Sequence, residues 1–121
     1  MRRQTILIVE DDPDNSSLMR LLLEVEDYEV ISAIDGEEGF DMAQRYHPDL
    51  IILDLDMPVL DGWGMIEKLK QNDRTKDIPI VVVTAHLMPH EREKVLRAGG
   101  NGYVSKPFRV RELIAEIKAC L

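Results

Sequence analysis

The sequence predicts an α/β fold in which helices cover both faces of a parallel sheet. Three observations point to this fold: five short apolar runs, a helical pattern after each run, and a composition typical of one folded domain. The chain has 121 residues, of which 45% are hydrophobic and 31% are charged, so a single core can support it. The runs are almost free of polar residues, as expected for strands that are buried on both faces.

Strands and helices alternate along the chain. The predicted strands are 6–9, 30–33, 50–53, 80–83 and 103–104. The predicted helices are 18–25, 39–46, 63–72, 89–98 and 110–117. Apolar residues in the helical segments recur three and four positions apart, which indicates one face turned to the core. The pattern is weaker in 63–72 and 89–98, and Pro89 is expected in the first turn of the latter segment.

The apolar face of each helix predicts its core residues. In chain order these faces are Leu18, Leu21, Leu22 and Val25; Gly39, Met42, Ala43 and Tyr46; Met65, Ile66 and Leu69; Val95, Leu96 and Ala98; and Val110, Leu113, Ile114 and Ile117. Right-handed crossovers between five parallel strands favour a doubly wound sheet. Its expected form is the flavodoxin-like strand order 2-1-3-4-5.

Charge and cysteine content exclude several classes of protein. The formal charge is −8 and the isoelectric point is about 4.8, which argues against direct binding of nucleic acid or an anionic membrane. Cys120 is the only cysteine, so a disulfide framework is excluded. We find no signal peptide or membrane span and expect a cytoplasmic protein. With no linker in the sequence, residues 1–121 are expected to form one complete domain.

Polar side chains follow four of the five predicted strands. Glu10 and Asp11 follow the first strand, Asp54 the third, Thr84 the fourth and Lys106 the fifth. Because ligands bind outside the carboxyl ends of parallel strands, we expect three acids, a hydroxyl and an ammonium to meet there.

This set of side chains favours phosphoryl chemistry beside a metal ion. Carboxylates without histidine or cysteine suit Mg²⁺, and Asp54 beside Mg²⁺ can act as a nucleophile toward phosphorus. Thr84 and Lys106 can each bind one phosphoryl oxygen. The Pro- and Gly-containing loop after Asp54 is expected to hold the Asp54 carboxylate in a solvent-exposed position. Asp12, which precedes Pro13, is interpreted as a helix N-cap.

The sequence resembles a known family, the receiver domains of two-component response regulators. The segments that carry the resemblance are 6–12, 47–54, 57–62, 83–85 and 102–108. They occur in the family's order and spacing and span almost the whole chain.

The resemblance implies a role for each residue. Asp54 would accept a phosphoryl group from a sensor histidine kinase or a histidine phosphotransfer protein. Magnesium would be held by Asp11 directly, by Glu10 through water, by the phosphoacceptor Asp54, and by the backbone carbonyl of Asp56. Thr84 and Lys106 would bind the phosphoryl group, Tyr103 would swing inward as Thr84 moves, and the Lys106–Pro107 bond would be cis. Asp56 and His86 occupy two positions at which the residue type varies within the family. In the family, the residues at these positions tune the lifetime of the phosphoryl group.

The expected function is therefore a phosphorylation switch. Its downstream target would be a protein that recognises the face carrying Tyr103, Arg109 and Arg111, and a homodimer formed on phosphorylation stays open. Two alternatives are considered. The Asp-x-Asp segment at 54–56 resembles the nucleophile motif of haloacid-dehalogenase-like phosphohydrolases, although there that motif precedes the acidic pair. The second alternative is a receiver-like binding module that is never phosphorylated, but such a module usually lacks one of the key residues.

Overall fold

Five parallel strands form the centre of the computed structural model, which describes residues 3–55, 61–85 and 90–121. The strands are Thr5–Val9 (β1), Glu29–Ala33 (β2), Leu50–Leu53 (β3), Ile80–Thr84 (β4) and Gly102–Ser105 (β5). The helices are Pro13–Val25 (α1), Gly36–Tyr46 (α2), Gly62–Gln71 (α3), Glu91–Ala98 (α4) and Val110–Cys120 (α5). The strand order β2-β1-β3-β4-β5 confirms the predicted flavodoxin-like fold.

Alternate residues of each central strand supply two separate cores. In β1, Leu7 and Val9 pack on one side of the sheet, whereas Ile6 and Ile8 pack on the other. The first core contains residues of α2, α3 and α4, and the second contains residues of α1 and α5. Because a strand's side chains point alternately to opposite faces, an unbroken apolar run is what such a strand requires.

The predicted core face of α1 is wrong. The structure buries Met19 and Leu23, while Leu18, Leu21 and Val25 are 53%, 60% and 78% exposed. Both sets of residues have helical spacing, so α1 has apolar residues on two sides. The spacing alone does not distinguish the side that faces the sheet from the side that faces solvent.

The other helices follow the prediction more closely. All three predicted residues of α3 are buried, and in α5 all except Val110 are buried. In α2, Gly39 and Ala43 are buried, Met42 packs against the core and Tyr46 is exposed. The prediction fails most in α4, where Val95 is buried but Leu96 and Ala98 are exposed. Pro89 lies outside the described residues.

Three helices begin with an aspartate cap at the carboxyl edge of the sheet. Asp12 caps α1 as predicted, and Asp35 and Asp61 cap α2 and α3; each side chain accepts a hydrogen bond of 2.8–2.9 Å from a backbone N–H in the first turn. Such caps bind N–H groups that the helix itself leaves without a partner. Within the described residues, none of the helices has the length and apolar character needed to cross a bilayer.

Candidate functional site

Two buried carboxylates lie side by side at the carboxyl ends of β1 and β3. Val9 and Leu53, the last residues of these strands, are paired in register, so Glu10 and Asp54 emerge next to each other. Backbone hydrogen bonds fix both residues: Glu10 N–H donates to Ala33 at 3.1 Å, and Asp54 N–H donates to Val9 at 3.2 Å. The sheet therefore determines the spacing of the two acids.

Asp11 completes an acidic cluster with these two residues. One carboxylate oxygen from each of Glu10, Asp11 and Asp54 lies within 4.8 Å of the others. At that separation two charges repel by about 3 kcal/mol at an effective dielectric constant of 20, so the cluster favours occupation by a cation. Carboxylate oxygens are preferred ligands of Mg²⁺. Asp11 is exposed and the other two acids are buried, which leaves the solvent side of the cluster for water ligands.

Lys106 bridges the two buried acids. Its Nζ donates to Asp54 Oδ2 at 3.2 Å and to Glu10 Oε2 at 3.4 Å. The bond between Lys106 and Pro107 is cis, as the resemblance implies. The Lys106 ammonium thus contacts the Asp54 carboxylate directly. An anionic group bonded to Asp54 would therefore lie beside a positive charge.

The site shifts the pKa of two of its members. Burial, followed by the hydrogen bond and charge of Asp54, raises the pKa of Glu10 to about 7, although Lys106 and the Asp12 N–H oppose the shift. For Lys106, burial acts to lower the pKa, but the carboxylates of Asp54 and Glu10 outweigh it and the pKa is raised. Carboxylates that share a small buried volume favour a proton or a cation between them.

Thr84 and Tyr103 lie on the adjacent strands β4 and β5. Thr84 is fully buried at the end of β4, and its carbonyl accepts a 2.8 Å hydrogen bond from Lys106 N–H. Tyr103 is half-buried, and its register partner in β4 is Val82. Thr84 therefore ends its strand at the same edge of the sheet as the acidic cluster, and Tyr103 lies two residues before the end of β5.

The Asp54 carboxylate is less exposed than the sequence predicts. Only 10% of the Asp54 side chain is accessible, and the Lys106 ammonium lies 3.2 Å from its Oδ2. Asp56 and His86 lie outside the described residues, as does the 57–60 part of the loop. Of the five side chains predicted to meet, those of Glu10, Asp11, Asp54 and Lys106 lie together. The fifth residue, Thr84, is the last residue of β4.

Gly62, which the sequence indicates only as part of the loop after Asp54, also belongs to this site. A Cβ at Gly62 would collide with the Leu55 Cα and lie 2.7 Å from the carbonyl oxygen of Asp54. The Gly62 N–H also donates to the Leu55 carbonyl at 2.9 Å. The start of α3 is therefore pressed against the backbone of Asp54 and Leu55, and the glycine after the Asp61 cap is the signal that could have indicated this approach.

Comparison with known proteins gives a consistent result. The profile of the response regulator receiver domain family matches residues 6–118. The polar-differentiation response regulator DivK of Brucella ovis is 36% identical over 118 residues, which are 98% of this chain and 96% of DivK. The solved receiver domain of the sensor histidine kinase PA1611 from Pseudomonas aeruginosa is 33% identical, with a TM-score of 0.89 and 98% of each chain covered. That structure holds a magnesium ion in its active-site cleft.

Other relatives are longer than this chain. The DNA-binding dual master transcriptional regulator RpaA of Synechocystis is 39% identical over 116 residues, which are 96% of this chain but 48% of RpaA. The chain thus spans about half the length of the first curated relatives it matches.

Proposed function

Because the chain belongs to the response regulator receiver domain family of two-component signalling, we propose that Asp54 is its phosphoryl acceptor. The donor is a sensor histidine kinase or a histidine phosphotransfer protein. The observation that carries this proposal is the contact of Asp54 with Lys106, 3.2 Å away, within a cluster of acids that suits Mg²⁺.

In the proposed reaction an Asp54 carboxylate oxygen attacks the phosphorus atom of the donor phosphohistidine. An oxygen–phosphorus bond forms, the phosphorus–nitrogen bond breaks, and the nitrogen electron pair remains on the imidazole. Magnesium, when bound, offsets negative charge on the transferred group. Glu10, Asp11, Asp54 and the backbone carbonyl of Asp56 are the proposed ligands.

Lys106 and Thr84 bind the transferred group in this proposal. The Lys106 ammonium already faces Asp54 and pairs with one phosphoryl oxygen after transfer. Thr84 donates its hydroxyl to another oxygen. The acyl phosphate can later be hydrolysed at the same site, so the protein is a switch with no separate substrate to turn over.

The output of the switch is a changed protein surface. The phosphoryl group adds a charge of about −1.5 to −2, which draws Thr84 and Lys106 toward Asp54 and allows Tyr103 to move inward. These movements bias α4, β5 and α5 between two arrangements. The proposed target binds the face that carries Tyr103, Arg109 and Arg111. We place the protein in the cytoplasm, without direct contacts to nucleic acid or membrane, and a homodimer is a further outcome to examine after phosphorylation.

The test is to incubate the protein with Mg²⁺ and acetyl phosphate and to measure its intact mass. We expect one phosphoryl adduct on the wild type and none on Asp54→Asn, which keeps the shape of the side chain but removes the nucleophile. An adduct on both proteins, or on neither while a known receiver domain in parallel is modified, would contradict the assignment. Absence from the wild type would favour the binding module, and steady hydrolysis of a phosphate monoester would favour the phosphohydrolase.

A further inference from the structure

Side chains from two helices bind the outer backbone edge of β5. The Tyr103 N–H donates to Glu116 Oε1 of α5 at 3.1 Å, and Arg92 of α4 donates to the Tyr103 carbonyl at 3.4 Å. The same Arg92 guanidinium lies 3.5 Å from Glu116 Oε1. We call these two side chains the Arg92–Glu116 clamp.

The clamp occupies a position that a sheet otherwise leaves open. β5 is an edge strand, and the backbone groups of Tyr103 point away from β4. Unpaired edge groups bind water or another chain. Here they bind a carboxylate that is only 25% exposed and a guanidinium that is 60% exposed. Glu116 is thus the more buried partner and has the shorter hydrogen bond.

Gly102 is the residue that allows Glu116 to lie across the strand. A Cβ at Gly102 would lie 2.9 Å from Glu116 Cγ and 3.0 Å from Glu116 Oε1. Any side chain at this position would therefore push the carboxylate away from the Tyr103 N–H. The backbone of β5 and the side chain of α5 fit each other closely at this point.

The clamped strand leads directly into the candidate site. Lys106 follows β5, three residues after Tyr103, and its N–H donates to Thr84 at 2.8 Å. Its Nζ contacts Asp54 and Glu10. A displacement of β5 relative to β4 would therefore move the lysine relative to both acids.

We propose that Glu116, assisted by Arg92, is a positioning residue that holds β5 so that Lys106 is oriented toward Asp54. This inference rests on the proposed function, because Asp54 must be the phosphoryl acceptor for the position of Lys106 to affect a rate. It assigns the clamp a role in phosphoryl acceptance although neither of its residues touches the acceptor. The essential feature is the hydrogen-bond acceptor at position 116, since a partly exposed ion pair of this length contributes little.

The experiment compares three variants of the whole chain. Glu116→Leu removes the acceptor and keeps a side chain of similar size, whereas Glu116→Gln keeps an acceptor oxygen and removes the charge. Glu26→Leu is the matched control, because Glu26 is also an acid paired with α5, through Lys118 at 3.9 Å, but is not part of the clamp. For each protein we would measure hydrogen exchange at the Tyr103 amide and the rate of adduct formation with acetyl phosphate and Mg²⁺.

For Glu116→Leu we expect Tyr103 amide exchange to accelerate and adduct formation to slow, each by roughly two- to tenfold, the effect of losing one hydrogen bond. Glu116→Gln and Glu26→Leu should remain within about twofold of the wild type in both measurements. If Glu116→Leu does not fold, Glu116→Ala removes the same acceptor and takes its place.

Three results would overturn the inference. Unchanged exchange at Tyr103 in Glu116→Leu would show that the clamp does not hold the strand. Faster exchange with an unchanged adduct rate would show that it holds the strand without positioning Lys106. A slow Glu116→Gln variant would assign the effect to charge. A wild type that forms no adduct instead contradicts the proposed function, and the exchange measurement still reports on the clamp.

Discussion

Among the residues that the structure describes, Glu10 has the pKa that its surroundings shift furthest. Its pKa is raised from 4.5 to about 7, first by burial and then by Asp54. An acid with a raised pKa in the folded state binds a proton more tightly there than in the unfolded chain. Its contribution is therefore fully stabilising below about pH 4.5 and is lost as the pH rises to about 7.

The first prediction concerns the pH dependence of stability without metal. Relative to Glu10→Gln, the free energy of unfolding of the wild type should fall between pH 4.5 and 7, by at most about 3 kcal/mol. Glu10→Gln is the control because glutamine does not titrate in this range. Urea unfolding at several pH values gives the comparison, and parallel curves for the two proteins would contradict the assigned pKa.

The second prediction concerns Gly62. Gly62→Ala places a methyl group against the backbone of Leu55 and Asp54, which cannot rotate away as a side chain can. We expect a loss of about 1–3 kcal/mol in the free energy of unfolding and slower adduct formation at Asp54. Gly102→Ala is the matched comparison, because its methyl group meets side-chain atoms of Glu116 and Cys120. A smaller loss for Gly62→Ala than for Gly102→Ala would contradict this explanation.

For individual residues, the sequence predicts which residues form the site better than it predicts their contacts. Glu10, Asp11, Asp54 and Lys106 could be predicted to meet because each follows a strand of the same parallel sheet. The low exposure of Asp54 could not, since it depends on tertiary packing around the strand end, which local sequence does not determine. The contact of Gly62 with the backbone depends on the angle at which α3 approaches the sheet, which local sequence does not determine.

Among the elements, α1 has two apolar sides with different roles. Leu23 is fully buried against the sheet, and Leu21, two residues earlier, is 60% exposed. The same residue type therefore occurs in both environments on one helix, which allows a direct comparison.

The third prediction follows from this pair. Leu23→Ala should lower the free energy of unfolding by about 2–5 kcal/mol because it removes core contacts and leaves a cavity. Leu21→Ala should change it by no more than about 0.5 kcal/mol. Both variants replace leucine with alanine on the same helix, so the change in helix propensity is the same in each. Denaturant unfolding of both proteins measures the difference, and equal losses would show that Leu21 is also packed.

The error in α1 has a general cause. Spacing of three and four residues indicates that a helix has an apolar side. When a helix has two such sides, either could face the sheet, and the spacing does not show which one does. The sheet buries Met19 and Leu23, whose spacing of four residues is as regular as that of Leu18 and Leu22. In α3 every apolar candidate lies on one side, so Met65, Ile66 and Leu69 could be predicted.

For the molecule as a whole, the order of the strands in the sheet was predictable from the sequence, and the negative net charge affects stability. Five βα repeats and right-handed crossovers leave few arrangements, so the topology follows from the element order. The net charge of −8 is partly concentrated in the acidic cluster. A bound divalent cation should therefore stabilise the entire fold, because it binds the folded state and not the unfolded chain.

The fourth prediction is a magnesium-dependent rise in melting temperature. At a Mg²⁺ concentration a hundred times the dissociation constant, the stabilisation should be about 2.7 kcal/mol. Asp11→Asn should melt higher than the wild type without metal, because it reduces the repulsion among the three acids, and should respond less to Mg²⁺. Asp41→Asn is a control, since Asp41 pairs with Arg45 on α2. An unchanged magnesium response in Asp11→Asn would place the ion elsewhere.

The aspartate caps of α1, α2 and α3 give this sheet edge a further property. All three helix starts face the same way, so Asp12, Asp35 and Asp61 add their charges to the rim around Glu10, Asp11 and Asp54. A phosphodonor is itself an anion and meets this negative rim first, whereas a divalent cation is attracted by it. If Asp54 accepts a phosphoryl group as proposed, a cation bound at the acidic cluster should therefore favour the approach of the anionic donor.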